Sequence, residues 1–172
     1  MTKVLFLDRD GVINEDIGYL HKINQNRFID GIFDICLYFQ SKGYKIVVIT
    51  NQSGIGRKLF SLKDFEKFNA WMLSEFRKRD IEILDVLFCP HSPEDNCGCR
   101  KPLPGMFHRA IKKYNVNTSQ SWLIGDSERD ITAALSSGIE NTVLLNEEQN
   151  TQPVSSKAKY IIKSLSEIMN LI

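Results

Sequence analysis

Two aspartates one residue apart, Asp8 and Asp10 in LFLDRDGVIN, close an apolar run and stand just before a glycine. Carboxylates this close repel each other, which favours a cation between them. The same letters are also an ordinary turn signal. Two other apolar runs end in a similar way. VVITNQSG carries a hydroxyl and an amide, Thr50 and Asn51, at its end, with Gly54 close behind. LIGDSERD carries Asp126, with Asp130 one helical turn later. An acidic residue in the first turn of a helix complements the helix dipole, which accounts for part of Asp130 without any site. Taken singly, each stretch has a plain structural explanation.

The fourth stretch is CPHSPEDNCGCRKP, residues 89–102, which holds three of the four cysteines and one of the three histidines. Cys89, His91, Cys97 and Cys99 are spaced Cys-x-His-x5-Cys-x-Cys. Thiolates and imidazole suit tetrahedral Zn²⁺, and four protein ligands leave no open position, so the expectation is a structural zinc site. A thioredoxin-type redox centre needs Cys-x-x-Cys, which is absent. A Cys-x-Cys dithiol, or cysteines that simply fill a core, are the alternatives. Pro90, Pro93, Pro102 and Pro104 stiffen a loop with few apolar residues of its own. Metal over 89–104 would brace the two residues that follow Cys99, which are Arg100 and Lys101.

Elements must bring these stretches together. Strand-like runs, nearly continuous in Val, Ile, Leu and Phe, lie at 3–8, 45–50, 83–89, 121–126 and 141–146. Such runs fit strands covered on both faces. Helical patterns fall between them. Residues 31–43 carry Ile32, Ile35, Leu37 and Phe39, and 61–80 open on a Ser-x-x-Asp cap and space Phe65, Phe68, Met72 and Phe76 helically. Residues 104–114 begin Pro-Gly, and 127–138 run from a serine cap to a glycine. Residues 146–156 read as a loop, with AKYII and a short last helix after it. Alternating strands and helices predict an α/β fold: one Rossmann-like parallel sheet flanked by helices, a single domain over 1–172 with the cysteine loop as an insert. In such sheets chemistry gathers beyond the carboxyl ends of the strands, where all four polar stretches converge. Cys36, Trp71 and Trp122 read as core.

Composition limits the function classes. Twenty-two basic and 21 acidic residues leave a net charge of +1, so no broad field favours nucleic acid or an anionic membrane. No run approaches the roughly 20 apolar residues of a membrane span. The stretch MTKVLFLDRD is too short in apolar residues for a signal peptide. Clustered cysteines in a chain read as cytoplasmic point to metal rather than disulfides.

In this order, LFLDRDGV, VVITN, RKP and LIGDSERD resemble the four motifs of the haloacid dehalogenase (HAD) superfamily of phosphohydrolases, over roughly Lys3 to Leu145. The resemblance implies Asp8 as nucleophile and Asp10 as general acid and base, with Thr50 and Lys101 on the phosphoryl group. It further implies Mg²⁺ on Asp8, the Asp10 main-chain carbonyl and Asp126, with Asp130 orienting Asp126 or Lys101 from behind. These roles are chemically coherent. A carboxylate attacking a phosphate dianion needs a hard cation with oxygen ligands to offset the repulsion.

The CPH…CxCRKPxPGM stretch is similar to the branch containing heptose-bisphosphate phosphatases and histidinol-phosphate phosphatases, small enzymes without a large cap domain. DRDGVIN followed by GYL, and TNQSGIGR, resemble the heptose-bisphosphate group more closely. That similarity implies a phosphorylated sugar as substrate, cleaved at its 7-phosphate. It implies a substrate site lined by Asp16, Gly18, Tyr19, Asn51, Gln52, Ser53, Arg100 and Ser127. Histidinol phosphate is the alternative substrate, and a non-catalytic zinc-knuckle binding module is the alternative of a different class. A monomer is expected. The chain departs from the branch at Lys58, where glycine is common after Arg57, and at Ser127, where lysine is frequent after Asp126.

Overall fold

Val, Ile and Leu runs with no polar alternation can be buried only if both faces of their sheet are covered, and that is what the chain builds. The computed structural model describes residues 1–146 and 155–172. Six parallel strands, β1 (Val4–Leu7), β2 (Lys45–Asn51), β3 (Ile83–Cys89), β4 (Trp122–Gly125), β5 (Asn141–Leu145) and β6 (Tyr160–Ile162), lie in the order β3-β2-β1-β4-β5-β6. Five helices connect them: α1 (Ile32–Ser41), α2 (Ser53–Gly56), α3 (Leu62–Arg77), α4 (Gly105–Tyr114) and α5 (Glu128–Leu135).

The pleat sorts the core into two layers. Leu5 and Leu7 of β1 join α1, α3 and a terminal 3₁₀ helix (Leu165–Asn170) on one face. Val4 and Phe6 join α4 and α5 on the other. The chain winds outward from β1 through β2 to β3, then returns across the sheet to β4. This places a topological switch point at the carboxyl end of β1, the position where open α/β sheets bind ligands.

Helix α3 shows how local sequence fixes an element. Ser61 Oγ accepts from the Asp64 N–H at 3.1 Å and the Asp64 carboxylate accepts from the Ser61 N–H at 2.8 Å, closing a capping box. Phe65, Phe68, Met72 and Phe76 are all buried. Each contributes about 1.5–3 kcal/mol on burial, far more than the cap.

The expected α/β class, the five strand runs and the four helical patterns all appear, the helices one to three residues shorter at their ends. Three features differ. Leu37, counted on the apolar face of α1, is 40% exposed. Residues 53–56 form a short helix, and AKYII supplies β6, which pairs with β5. Most of the loop expected over 146–156 lies outside the described residues. No described helix is long and apolar enough to cross a membrane.

Candidate active site

The turn after β1 is built by its own backbone. Arg9 O accepts from the N–H groups of Val12, Ile13 and Asn14, and Gly11 N–H donates to Asn14 O at 2.7 Å. Gly11 has φ +86°, and a Cβ there would fall 2.0 Å from Asp126 Oδ2. Only glycine lets the β1 turn and the β4 end approach this closely. The turn presents Asp8 and Asp10 to a cleft of about 380 Å³ at the switch point.

Lys101 lies at the base of that cleft and is 3% exposed. Its Nζ donates to Asp8 Oδ1 at 2.9 Å, to Asp130 Oδ1 at 2.6 Å and to the Ile49 carbonyl at 2.8 Å. The other Asp130 oxygen accepts from the N–H and hydroxyl of Ser127, which cap α5. Burial opposes the charge on Asp130, but Lys101 and the Ser127 donors outweigh it and hold the carboxyl below its usual range. Lys101 is likewise raised: burial opposes its charge, and Asp130 and Asp8 overcome burial. Asp130 is therefore the firm counter-ion of Lys101.

Asp8 and Asp126 behave oppositely. Burial, then the Asp130 charge, push the Asp8 carboxyl well up despite Lys101. The same two causes raise Asp126 to about 7. One lysine does not balance three carboxylates whose oxygens lie within 4.8 Å of one another. Both Asp130 oxygens are already engaged, which leaves Asp8 and Asp126 as donors beside the main chain of the Asp10 turn. A hard dication with oxygen ligands fits this charge deficit.

Asp10 is held by four donors. Arg9 approaches with Nε and Nη2 at 2.9–3.2 Å, and Asn14 Nδ2 and Gln52 Nε2 each donate at 3.0 Å. Arg9 is only 1% exposed, with its guanidinium 5.0 Å from the Phe68 ring and Nη2 donating to Leu20 O at 2.8 Å. Sequence reasoning missed Arg9 and Asn14. An arginine between two aspartates reads as solvated charge, and no local signal marks it as buried.

The remaining expected residues divide by place. Asp16, Gly18 and Tyr19 form one wall, where Asp16 Oδ1 accepts from the Gly18 N–H and Gly18 and Tyr19 take positive φ. Gln52, Ser53, Arg100 and Ser127 also line the cleft. Thr50 does not. It is 1% exposed, and its Oγ1 accepts from Gln52 Nε2, which leaves the hydroxyl hydrogen free to donate. Asn51 lines the cleft, but its amide is paired with the backbone of Lys101, donating to the carbonyl at 3.1 Å and accepting from the N–H at 3.0 Å. Arg57 and Arg129 line the cleft without having been expected. Lys58 sits at φ +58°, a conformation glycine adopts without strain, which explains why glycine suits that position.

The cysteine loop closes on itself. Sulfur and Nδ1 atoms of Cys89, His91, Cys97 and Cys99 stand 3.2–3.5 Å apart along five edges of a tetrahedron. Zinc–sulfur bonds of about 2.3 Å imply edges of about 3.7 Å, so the four atoms fit a tetrahedral ion after slight expansion. Burial opposes ionisation of Cys97, but the N–H groups of Cys99 and Arg100 turn the balance and bring the thiol to about 6. The loop is latched to β2 and α2: Gln52 N–H donates to Cys89 O, and Gly56 N–H to Pro90 O, both at 2.8 Å. Fixing the knuckle thus fixes Lys101, through Asn51 and through the chain itself.

This cleft combines a poised carboxylate, a second carboxylate, a buried lysine and a cation-deficient acidic cluster, the equipment for phosphoryl transfer. The sequence model described as HAD-hydrolase-like matches residues 98–168. The D-glycero-beta-D-manno-heptose-1,7-bisphosphate 7-phosphatase of Pasteurella multocida (strain Pm70) is 37% identical, over 100% of this chain and 97% of its own. The D-glycero-alpha-D-manno-heptose-1,7-bisphosphate 7-phosphatase of Campylobacter jejuni is 42% identical, over 98% of this chain and 95% of its own. The crystal structure of D,D-heptose 1,7-bisphosphate phosphatase from B. bronchiseptica, complexed with magnesium and phosphate, superposes with a TM-score of 0.87 at 27% identity, covering 99% of this chain and 97% of that one. With its parallel sheet, its motif order and these full-length relatives, the chain belongs to the heptose-1,7-bisphosphate 7-phosphatase family of HAD-like phosphatases.

Proposed function

We propose that the protein removes the 7-phosphate of D-glycero-D-manno-heptose 1,7-bisphosphate through a phosphorylated Asp8. An Asp8 oxygen attacks phosphorus, the bond from phosphorus to the 7-oxygen breaks, and the leaving oxygen takes its proton from Asp10. Water then attacks phosphorus and gives a proton to Asp10, the bond from phosphorus to the Asp8 oxygen breaks, and inorganic phosphate leaves with Asp8 again a carboxylate and Asp10 again the acid. General acid–base help of this kind accelerates reactions by about 10²–10⁴-fold. Lys101 donates to phosphoryl oxygens and needs no reorganisation because Asp130 already fixes it, and the Thr50 hydroxyl, which only accepts from Gln52, keeps its own hydrogen to donate to a phosphoryl oxygen. Mg²⁺ on Asp8, Asp126 and the Asp10 carbonyl would supply charge neutralisation. Zn²⁺ on Cys89, His91, Cys97 and Cys99 would hold the knuckle.

The observation that carries the substrate choice is the charge of the mouth. Histidinol phosphate, with its amine and imidazole, calls for an acidic rim. Of the acids that could form one, Asp95 accepts from the Ser92 N–H at 2.7 Å, Glu94 pairs with Arg57 at 3.8 Å, and Glu15 is not in the lining. Asp16, which accepts from the Gly18 N–H, therefore faces two arginines, Arg100 and Arg129, across the cleft. Arg100 faces the cleft with a planar donor fork suited to phosphate. The full-length relatives act in name on heptose bisphosphates of both anomers.

Comparing kcat/KM for heptose 1,7-bisphosphate and histidinol phosphate tests the choice, because that ratio measures transition-state discrimination. The bisphosphate is expected to be favoured at least about tenfold, and a preference for histidinol phosphate refutes the reading. Asp8→Ala should abolish turnover of both substrates and of a generic aryl phosphate. Full activity in that variant would sink the mechanism.

A further inference from the structure

We infer that Arg129 is a specificity-determining residue, which with Arg100 receives a second anionic group of the substrate at the mouth of the cleft. The inference rests on the bisphosphatase reading above.

The cations around the cleft are not equally available. Lys101 is held by Asp8 and Asp130, and Arg9 by Asp10. Arg57 leans toward Glu94 at 3.8 Å. Arg129 is exposed and has no carboxylate within 4 Å among the described residues. Arg100 has a buried Nη1 with no hydrogen-bond acceptor among them. Arg100 and Arg129 together border both the catalytic cleft and an adjoining hollow of about 430 Å³ beside Pro93, Pro102 and Leu103. They border the space open to a part of the substrate left outside the catalytic floor.

The position of Arg129 in its helix argues that folding stability did not select it. It is the second residue of α5, between Glu128 and Asp130. A helix N-terminus carries partial positive charge, so acidic residues suit this turn and a cation there is disfavoured. Glu128 and Asp130 follow that rule and have partners: Glu128 accepts from the Ser156 hydroxyl, and Asp130 from Ser127. Arg129 breaks it with no compensating ion pair among the described residues. An anion at the mouth would meet the guanidinium and the α5 N-terminus together, both of favourable sign. The chemistry that fits is a phosphate monoester, and in a heptose 1,7-bisphosphate this is the 1-phosphate.

The test compares two substrates that share the reacting 7-phosphate, heptose 1,7-bisphosphate and heptose 7-phosphate, across wild type, Arg129→Gln, Arg129→Glu and Arg129→Lys. Arg129→Gln should lower kcat/KM for the bisphosphate by about 5- to 30-fold, mainly through KM, as expected for loss of a part-exposed charge-assisted contact. The value for heptose 7-phosphate should stay within about twofold. Arg129→Glu should lose more and Arg129→Lys should recover most of the loss. The wild-type preference for the bisphosphate should also shrink with added salt, and more steeply than in Arg129→Gln. An equal fall on both substrates makes Arg129 merely structural and overturns the inference, as does an unchanged bisphosphate value. A wild-type enzyme that favours histidinol phosphate removes the substrate reading and this inference with it. That outcome is read without any Arg129 variant.

Discussion

Replacing Asp130 with asparagine keeps the shape of the side chain and reverses half of its chemistry. Asp130 accepts on both sides, from Lys101 Nζ at 2.6 Å and from the Ser127 N–H and hydroxyl at 3.1 and 2.9 Å. An asparagine must turn its NH₂ toward one of these sets, so a donor meets a donor whichever way it flips. With the NH₂ toward Ser127 the α5 cap is lost, which costs about 1 kcal/mol. Lys101, 3% exposed, then keeps Asp8 as its only ion-pair partner among the described residues. Breaking a buried pair costs about 3–5 kcal/mol, and about 2–3 remains after allowing for the surviving carboxylate. The expected loss is therefore about 3–4 kcal/mol, or roughly 6–16 °C in Tm for a chain of this size.

Urea unfolding with an unchanged m-value reads the loss directly. The double variant Asp130→Asn/Lys101→Met should lose at least about 1 kcal/mol less than the sum of the single variants, because the two side chains share one interaction. A loss under about 1 kcal/mol, or strict additivity, would show that Asp130 does not anchor Lys101. Turnover should fall as well, by about 10²-fold, since Lys101 is drawn wholly onto the nucleophile.

Three further outcomes follow from the same geometry. Arg9→Met should lower kcat about 10- to 100-fold with little change in KM, because Asp10 loses its closest anchor; hydrogen exchange over residues 15–21 should quicken as Leu20 O is freed, and unchanged exchange would count against the strut. The purified protein should contain about one zinc per chain, and Cys99→Ser should raise KM while the far-ultraviolet spectrum keeps the sheet; metal analysis finding no zinc in protein prepared without chelators would argue against the brace. Lys58→Gly should raise stability by up to about 1 kcal/mol in urea, because the αL conformation at φ +58° costs a lysine more than the added chain entropy costs a glycine, and a loss of stability would contradict this.

What the sequence made legible was whatever repeats along it. Unbroken Val and Ile runs gave five strands, and the Ser61 cap with its phenylalanine stripe gave α3, because each depends on neighbours within a few residues. The gathering of Cys89, His91, Cys97 and Cys99 was legible because their spacing is itself the signal. The three-residue β6 was not, since so short a run becomes a strand only by pairing with β5. A strand end gives the residue but not the direction of its side chain, so the burial of Thr50 and its contact with the Gln52 amide could not be read from the sequence. Asn51 lines the cleft as its type suggests, and its pairing with the Lys101 backbone, fifty residues away, had no local signal.

Charge was the least legible property, and function depends on it most. A net charge of +1 says only that no global field exists. Folding then assigns the cations one by one: Arg9 to Asp10, Lys101 to Asp8 and Asp130, Arg57 toward Glu94. Each assignment joins residues from different elements or buries a side chain that looks solvated in sequence, so no window along the chain can reveal it. Once the acidic floor has taken its partners, the remaining positive charge lies at the rim, at Arg100 and Arg129. A near-neutral chain can in this way set arginines at the rim of a floor short of positive charge, a polarity suited to a phosphate ester.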